Sequence, residues 1–220
     1  MFDRRTLLVA SAAALTMPMT ARASTAGLDF TVSRNGRSIG HHRMSFREEG
    51  SRTLVDIDIA LDVKLAFVTL YRYRHHNREI WEGTELVGFE SRTDDNGTPH
   101  HVSARRQEQG IRVDGSSGLV VGALDAVPTS YWRREFLDRP WIDSQAGRLL
   151  ACTVSPAGTE RIQAEGRLVE ADRFAVRGDL AIDLWYAGEH WVKLGFDGPD
   201  GSRIEYALER APGIDLASAA

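Results

Sequence analysis

Six of the seven histidines in this 220-residue chain occur as adjacent pairs, His41-His42, His75-His76 and His100-His101. Adjacent residues on a β-strand point to opposite faces, so each pair sends one imidazole to each face of a sheet. If neighbouring strands align these rings, His42, His76 and His101 are the candidate ligands of a metal ion. Solvated histidines on a strand surface are the competing interpretation, because the His and Glu spacing of helical zinc enzymes is absent.

Three carboxylates also have a spacing that could serve chemistry. Asp56, Asp58 and Asp62 share one face of a strand with period two, and a buried member would be an acid/base candidate. A row of like charges is more typical of a solvated outer face. Together with the histidines, these residues define one functional hypothesis, a metal-dependent or carboxylate-based hydrolase.

Aromatic residues suggest a different function, the binding of an apolar ligand. Tyr71 and Tyr73 alternate along one strand, Trp185 precedes a turn at Gly188, and residues 131–141 form the most aromatic stretch of the chain. A curved sheet with an aromatic interior suits a hydrophobic small molecule or a lipid. A core filled by its own side chains is the competing interpretation. The candidate ligand-binding residues are Tyr71, Tyr73, Tyr131, Trp132, Trp141 and Trp185.

Several other classes of chemistry lack their motifs. Gly115-Ser116-Ser117-Gly118 has neither the spacing nor the strand-turn-helix context of a nucleophile elbow. No phosphate loop or dinucleotide fingerprint occurs, so no cofactor is expected. Cys152, the only cysteine, stands in an apolar run and is expected to be a small buried residue. The net charge of −4 and the interspersed charges argue against a nucleic-acid partner.

Strands must position these residues, because apolar and polar residues alternate with period two through most of the chain. Val55 to Val63 is the clearest case, and Asn35-Gly36 marks a tight hairpin turn before it. We expect a single all-β domain over residues 24–211, a curved antiparallel meander sheet or partly open β-barrel. Pro128 and Pro140 bracket a stretch that is expected to form a short helical or loop lid, or to finish the core. The predicted strands are 28–33, 38–46, 55–63, 69–81, 85–93, 100–107, 111–113, 148–154, 159–166, 174–176, 180–186, 190–196 and 203–208.

The two ends of the chain are predicted to lie outside this domain. Arg4-Arg5 precede a short apolar run that ends at Ala21-Arg22-Ala23, the layout of a secretory signal peptide cut between Ala23 and Ser24. The paired arginines favour the twin-arginine export machinery over the general secretory route. The run is shorter than the roughly 20 residues of a membrane span, so no stable span is expected after cleavage and the mature protein is expected in the periplasm. Residues 212–220 lack a pattern and are predicted to be a disordered tail.

A resemblance covers nearly the whole mature chain. It is carried by residues 30–43, by Tyr71-x-Tyr73 ahead of 79–83, by Ser130-Tyr131-Trp132 and by Leu184-Trp185-Tyr186. At these positions the chain resembles a family of small exported bacterial proteins catalogued as a domain of unknown function. That resemblance implies a β-rich exported domain, with no catalytic residues to carry over. The strand layout is also similar to lipoprotein carriers, in which a curved sheet holds acyl chains under a short lid.

These observations favour a non-catalytic binding or carrier module for an apolar ligand. The hydrolase is the alternative. Elemental analysis for metal after native purification, together with native mass spectrometry for copurified lipid, distinguishes the two.

Overall fold

The computed structural model describes residues 26–65 and 68–216, so the predicted signal peptide and its cleavage site at Ala23 and Ser24 lie outside the described residues. The first described turn follows the sequence prediction. Asn35 and Gly36 both have positive φ, 49° and 75°, which is the geometry that a two-residue hairpin turn requires. Strand follows strand along nearly all of the described chain, which confirms the all-β class.

Thirteen strands form one antiparallel sheet in the order β12-β13-β14-β15-β16-β1-β2-β3-β4-β5-β6-β7-β8. Two meanders are therefore joined where the last strand pairs with the first. The strands of the first meander are β1 (Ala26–Arg34), β2 (Arg37–Glu49), β3 (Arg52–Leu65), β4 (Val68–Glu82), β5 (Glu85–Asp95), β6 (Thr98–Gln107), β7 (Gly110–Gly115) and β8 (Gly118–Gly122). Those of the second are β12 (Cys152–Ala164), β13 (Arg167–Gly178), β14 (Ile182–Ala187), β15 (His190–Asp197) and β16 (Arg203–Arg210).

The sheet curves without closing, since β8 and β12 are its two unpaired ends. Inward residues of both meanders nevertheless share one hydrophobic core, for example Trp81 and Phe89 from the first and Leu184 and Trp191 from the second. Irregular register in β1, β4 and β14 accompanies this curvature, as bulges increase local twist. The prediction of a curved antiparallel sheet is confirmed.

A crossing segment, residues 123–151, joins the two meanders and lies against the inner face. It contains β9 (Val127–Pro128), β10 (Trp141–Ile142), β11 (Leu149–Leu150) and a 3₁₀ turn at Arg134–Asp138, the only helical element among the residues described. Trp132, Phe136 and Trp141 are buried, so its aromatics finish the core as well as covering the sheet. The crossing segment approaches β7 closely at Gly115. A Cβ atom at that position would lie 2.5 Å from the Ala146 carbonyl oxygen.

Three local predictions differ from the structure. β8 is present although no strand was predicted there, because Leu119, Val120 and Val121 form an apolar run between two glycines without the period-two alternation of the other strands. Residues 152–164 form one strand, with the Pro156 to Thr159 stretch accommodated as an irregularity instead of a turn. The predicted disordered tail is wrong for residues 212–216: Pro212 accepts a hydrogen bond from Gly27 at 2.9 Å, and Leu216 is buried. Residues 217–220 lie outside the described part.

No helix in the described ranges is long and apolar enough to cross a membrane.

Candidate functional site

A chamber of about 190 Å³ lies between the first meander, the crossing segment and the second meander. Strands β2 to β4 form its floor, residues of the crossing segment cover it, and β15 and β16 close one side. Its walls combine imidazole, phenol, amide and indole groups with aliphatic side chains. The floor residues are His42, Ile57, Ile59, Tyr73, His75 and Asn77; the crossing segment contributes Thr129, Ser130, Tyr131, Asp143, Ser144, Gln145 and Leu150; the side wall consists of Leu180, Trp191, Leu194 and Tyr206.

Strand β4 supplies an unusual run of inward polar residues. Trp81 is fully buried, and period-two geometry therefore turns Glu79, Asn77, His75 and Tyr73 to the same face. Of these, His75, Asn77 and Glu79 are buried. A polar side chain in this position costs free energy unless it is paired, so the hydrogen-bond partners of these residues decide what the run can do.

Two buried histidines meet on the chamber floor through the register of the sheet. His42 on β2 and His75 on β4 are both opposite Ile59 of the intervening β3, so they face inward from either side of it. Burial is the largest cause that lowers the pKa of His42 to about 3 and of His75 to about 4, and charge from a neighbouring histidine adds to each shift. Both rings are therefore neutral near pH 7.

The two rings differ in their hydrogen bonds. His75 Nδ1 lies 2.8 Å from the Thr93 hydroxyl, which fixes that ring. His42 packs against aromatic rings, with centroid distances of 5.2 Å to Trp191 and 5.8 Å to Tyr206, and its Nε2 forms no hydrogen bond with any residue that the structure describes. Asn77 is similar, because its Oδ1 is also buried without a partner. Ser130 Oγ in the chamber lining is a third such atom among the described residues, and several unpartnered polar atoms in one chamber are uncommon in native interiors and point to a missing partner.

Behind Asn77 lies a fully buried carboxylate. Glu79 Oε1 accepts a hydrogen bond from Asn77 Nδ2 at 2.9 Å, while Oε2 accepts from the indoles of Trp81 at 2.8 Å and Trp132 at 3.2 Å. Burial raises the pKa of Glu79 to about 7, and the hydrogen bonds from these donors oppose that rise. Glu79 does not line the chamber; it holds Asn77 from behind.

The crossing segment meets the chamber through a strained residue and a polar network. Tyr131 has φ of 59°, a conformation that costs a bulky residue energy, and its carbonyl accepts a hydrogen bond from Tyr186 Oη at 2.7 Å. At the other end, Tyr73 Oη donates to Gln145 Oε1 at 3.0 Å, and Gln145 Nε2 donates to Asp95 at 3.2 Å. The segment is thus attached to both meanders around the chamber.

The structure brings two of the six predicted ligand-binding residues to the chamber, Tyr73 and Tyr131. Trp132 is buried beside Trp81 and Phe136, with centroid distances of 5.7 and 5.3 Å. The other three also have separate partners. Tyr71 Oη donates to Asp95 at 2.8 Å, Trp141 donates to the Phe136 carbonyl at 3.0 Å, and Trp185 donates to Glu160 at 2.6 Å.

The predicted metal ligands are not brought together. His42 is buried on the inner face, whereas His76 and His101 are exposed on the outer face, where Arg92 lies opposite both in the register. Adjacent residues of a strand point to opposite faces, so His76 points outward because His75 points inward. Within residues 26–65 and 68–216, no group of three or more His, Cys, Asp or Glu is placed to hold a metal ion.

The predicted carboxylate row lies on the outer face, where basic side chains contact it. Asp56 pairs with Arg78 at 2.7 Å, Asp58 contacts His41 at 3.0 Å, and Asp62 pairs with Arg74 at 2.7 Å. Cys152 is half-buried and borders a different surface cleft beside Trp141. None of these residues reaches the chamber.

Sequence reasoning missed His75, Asn77 and Glu79 even though a signal was present. Tyr73 and Trp81 already fix which residues of β4 face inward, and the three missed residues have the same odd-numbered phase. Trp191 and Tyr206 carried no comparable signal, because their approach to β2 depends on the pairing of β16 with β1.

A family model for a domain of unknown function, DUF6134, matches residues 30–209. The chain belongs to the DUF6134 family. Every chamber residue lies within the matched range of this DUF6134 protein. A comparison with curated proteins finds no match.

The DUF6134 fold is also similar to a solved structure, the crystal structure of a β-barrel-like protein of the domain of unknown function DUF1849 from Brucella abortus. The TM-score is 0.61 at 10% sequence identity, and the similarity covers 87% of this chain and 98% of the DUF1849 chain. At this identity the likeness concerns the fold alone. It agrees with the curved, barrel-like sheet described above.

Proposed function

We propose that this DUF6134 protein is an exported, non-catalytic binding module that holds a small, uncharged and mainly apolar molecule in the chamber. The observation that carries the proposal is the set of buried atoms without a partner among the described residues, His42 Nε2, Asn77 Oδ1 and Ser130 Oγ, in a cavity with aromatic walls. Ligand sites typically combine such an apolar lining with a few convergent polar groups.

The volume limits the size of the ligand. An apolar cavity of about 150 Å³ admits benzene, and the chamber measures about 190 Å³. A molecule with one ring, or a short branched chain, therefore suits it better than the complete acyl chain that the carrier likeness implied. Burial of such a ligand contributes about 25 cal/mol per Å² of apolar surface removed from water.

The histidines support binding over catalysis. A general acid or base works best with a pKa near the operating pH, whereas burial lowers the pKa of His42 to about 3 and of His75 to about 4. Among the described residues, neither ring is hydrogen-bonded to a carboxylate that would orient or activate it. Neutral imidazoles in this setting suit an uncharged ligand.

A chamber-filling variant tests the proposal. Leu194 is buried in the chamber wall, so Leu194→Phe places the added ring where a ligand would lie. Leu168→Phe is the matched control, because Leu168 is 52% exposed on β13. Benzene, pyrrole and pyridine are titrated as single-ring probes, and binding is measured by calorimetry and by the rise in melting temperature that a ligand of the native state produces.

We expect the wild type and Leu168→Phe to bind at least one probe with the same affinity. Leu194→Phe is expected to lose that binding while it keeps a cooperative melting transition. Failure of all three probes to bind the wild type, or equal binding by folded Leu194→Phe, would contradict the proposed site.

A further inference from the structure

Asn77 is the polar group of the chamber whose orientation is fixed most clearly. Its side chain is 1% exposed on β4 and lines the chamber. An amide has a donor side and an acceptor side, and the donor side of Asn77 is used, since Nδ2 lies 2.9 Å from Glu79 Oε1. The acceptor, Oδ1, is left without a partner among the described residues.

Glu79 determines this orientation. The indole nitrogens of Trp81 and Trp132 can only donate, so both require an acceptor at Glu79 Oε2. An ionised carboxylate accepts at both oxygens, and Oε1 therefore also requires a donor, which Asn77 supplies. The opposite orientation of Asn77 would place Oδ1 against a carboxylate oxygen with no hydrogen between them.

We propose that Asn77, positioned by Glu79, makes the chamber selective for ligands that carry a hydrogen-bond donor, such as a ring N–H, a phenol hydroxyl or an amide N–H. This inference rests on the proposed binding function and specifies the ligand class. Glu79 is a positioning residue, because it sets the polarity of the chamber wall without touching the chamber.

The size of the preference follows from the cost of an unmatched polar atom. A ligand with a donor satisfies Oδ1, an apolar ring leaves it unpaired, and a ligand with only an acceptor opposes it. One buried neutral hydrogen bond corresponds to about a tenfold difference in affinity. Pyrrole, benzene and pyridine have similar sizes. Pyrrole supplies a hydrogen-bond donor, pyridine supplies an acceptor, and benzene supplies neither.

The experiment compares dissociation constants for the three probes at pH 8.5, where pyridine is neutral and Glu79 is largely ionised. For the wild type we expect pyrrole to bind about tenfold more tightly than benzene, and pyridine most weakly. Pyridine binding as tightly as pyrrole would overturn the inference. Absence of binding by all three would instead count against the proposed function, so the two failures are distinguishable.

Glu79→Gln tests the positioning role. The glutamine must direct its carbonyl to the two indoles, so its NH₂ faces Asn77 and the Asn77 amide turns over to accept from it. Nδ2 then faces the chamber, and we expect the order of pyrrole and pyridine to reverse. Glu82→Gln is the matched control, since Glu82 is on the same strand, exposed, and paired with Arg52. Retention of the wild-type order by folded Glu79→Gln would contradict the role of Glu79.

Asn77→Leu provides a second test, which does not depend on the folding of Glu79→Gln. Leucine removes the acceptor at similar volume, so we expect pyrrole and benzene to bind with equal affinity. A preference for pyrrole that persists in Asn77→Leu would assign the selectivity to another group and overturn the proposal.

Discussion

The two histidines of each adjacent pair differ because a strand exposes one and buries the other. His75 is 4% exposed and hydrogen-bonded to Thr93, whereas His76 faces solvent. Burial disfavours the charged imidazole, which leaves His42 and His75 neutral in the folded protein. In the unfolded chain both rings are in water and titrate with a pKa near 6.5.

This difference predicts a pH dependence of stability. Between pH 6.5 and about pH 3 the unfolded state binds more protons at His42 than the folded state does, so acidification lowers the free energy of unfolding. The slope from one such histidine is about 1.4 kcal/mol per pH unit. Glu79 acts in the opposite direction between pH 4.5 and 7, because its raised pKa lets the folded state take up a proton first.

A variant isolates the histidine contribution. We expect His42→Phe to remove that slope, so that the stability of the wild type relative to this variant falls on acidification. Urea unfolding from pH 7.5 to pH 4.5 measures the difference. His76→Phe, on the outer face, is the control and should follow the wild type. An unchanged pH slope in His42→Phe would show that His42 is not buried as described.

At the scale of elements, the crossing segment does more than cover the chamber. Trp132 packs against Trp81 and Phe46 and donates one of the hydrogen bonds to Glu79. The sequence left both a lid and a core role open for residues 131–141, and burial assigns Trp132 to the core. Truncation of the Trp132 side chain is therefore expected to reduce the stability of the fold, whether or not a ligand is bound.

We expect Trp132→Ala to reduce the free energy of unfolding by about 3 to 5 kcal/mol, the usual cost of removing a buried aromatic side chain. Glu135→Ala, three residues later and exposed, is the matched control and should change stability by less than about 0.5 kcal/mol. Urea unfolding at pH 7.5 compares them. A loss below about 1 kcal/mol for Trp132→Ala would mean that the segment rests on the sheet as a loose lid.

At the scale of the whole molecule, the sequence predicts what is local. Period-two alternation identified most strands, and Asn35-Gly36 identified a turn, because both depend on neighbouring residues. The chamber depends on contacts that are distant in sequence. His42 and His75 meet through β3, and Trp191 reaches His42 because β16 pairs with β1. The histidine pairs are visible in the sequence, but the inward member of the second pair is His75 and not the predicted His76, because His75 has the same phase along β4 as the buried Trp81.

Export is a separate prediction at this scale. The proposal that the protein reaches the periplasm depends on Arg4-Arg5 and on the Ala21-Arg22-Ala23 exit. We expect mature protein to begin at Ser24, and replacement of both Arg4 and Arg5 by lysine to retain the precursor in the cytoplasm. Cell fractionation with N-terminal sequencing measures both outcomes. Undiminished export of the double variant would remove the twin-arginine assignment.

The most direct test of the chamber as a binding site is a nuclear magnetic resonance titration of the histidine Cε1–H signals with pyrrole. His42 and His75 line the chamber, while His76 and His101 lie on the outer face and serve as internal controls. We expect the His42 and His75 signals to shift saturably and together, the outer signals to stay in place, and Leu194→Phe to abolish the shifts. Saturable binding that leaves His42 and His75 unmoved, or that moves His76 and His101 instead, would contradict the chamber as the binding site.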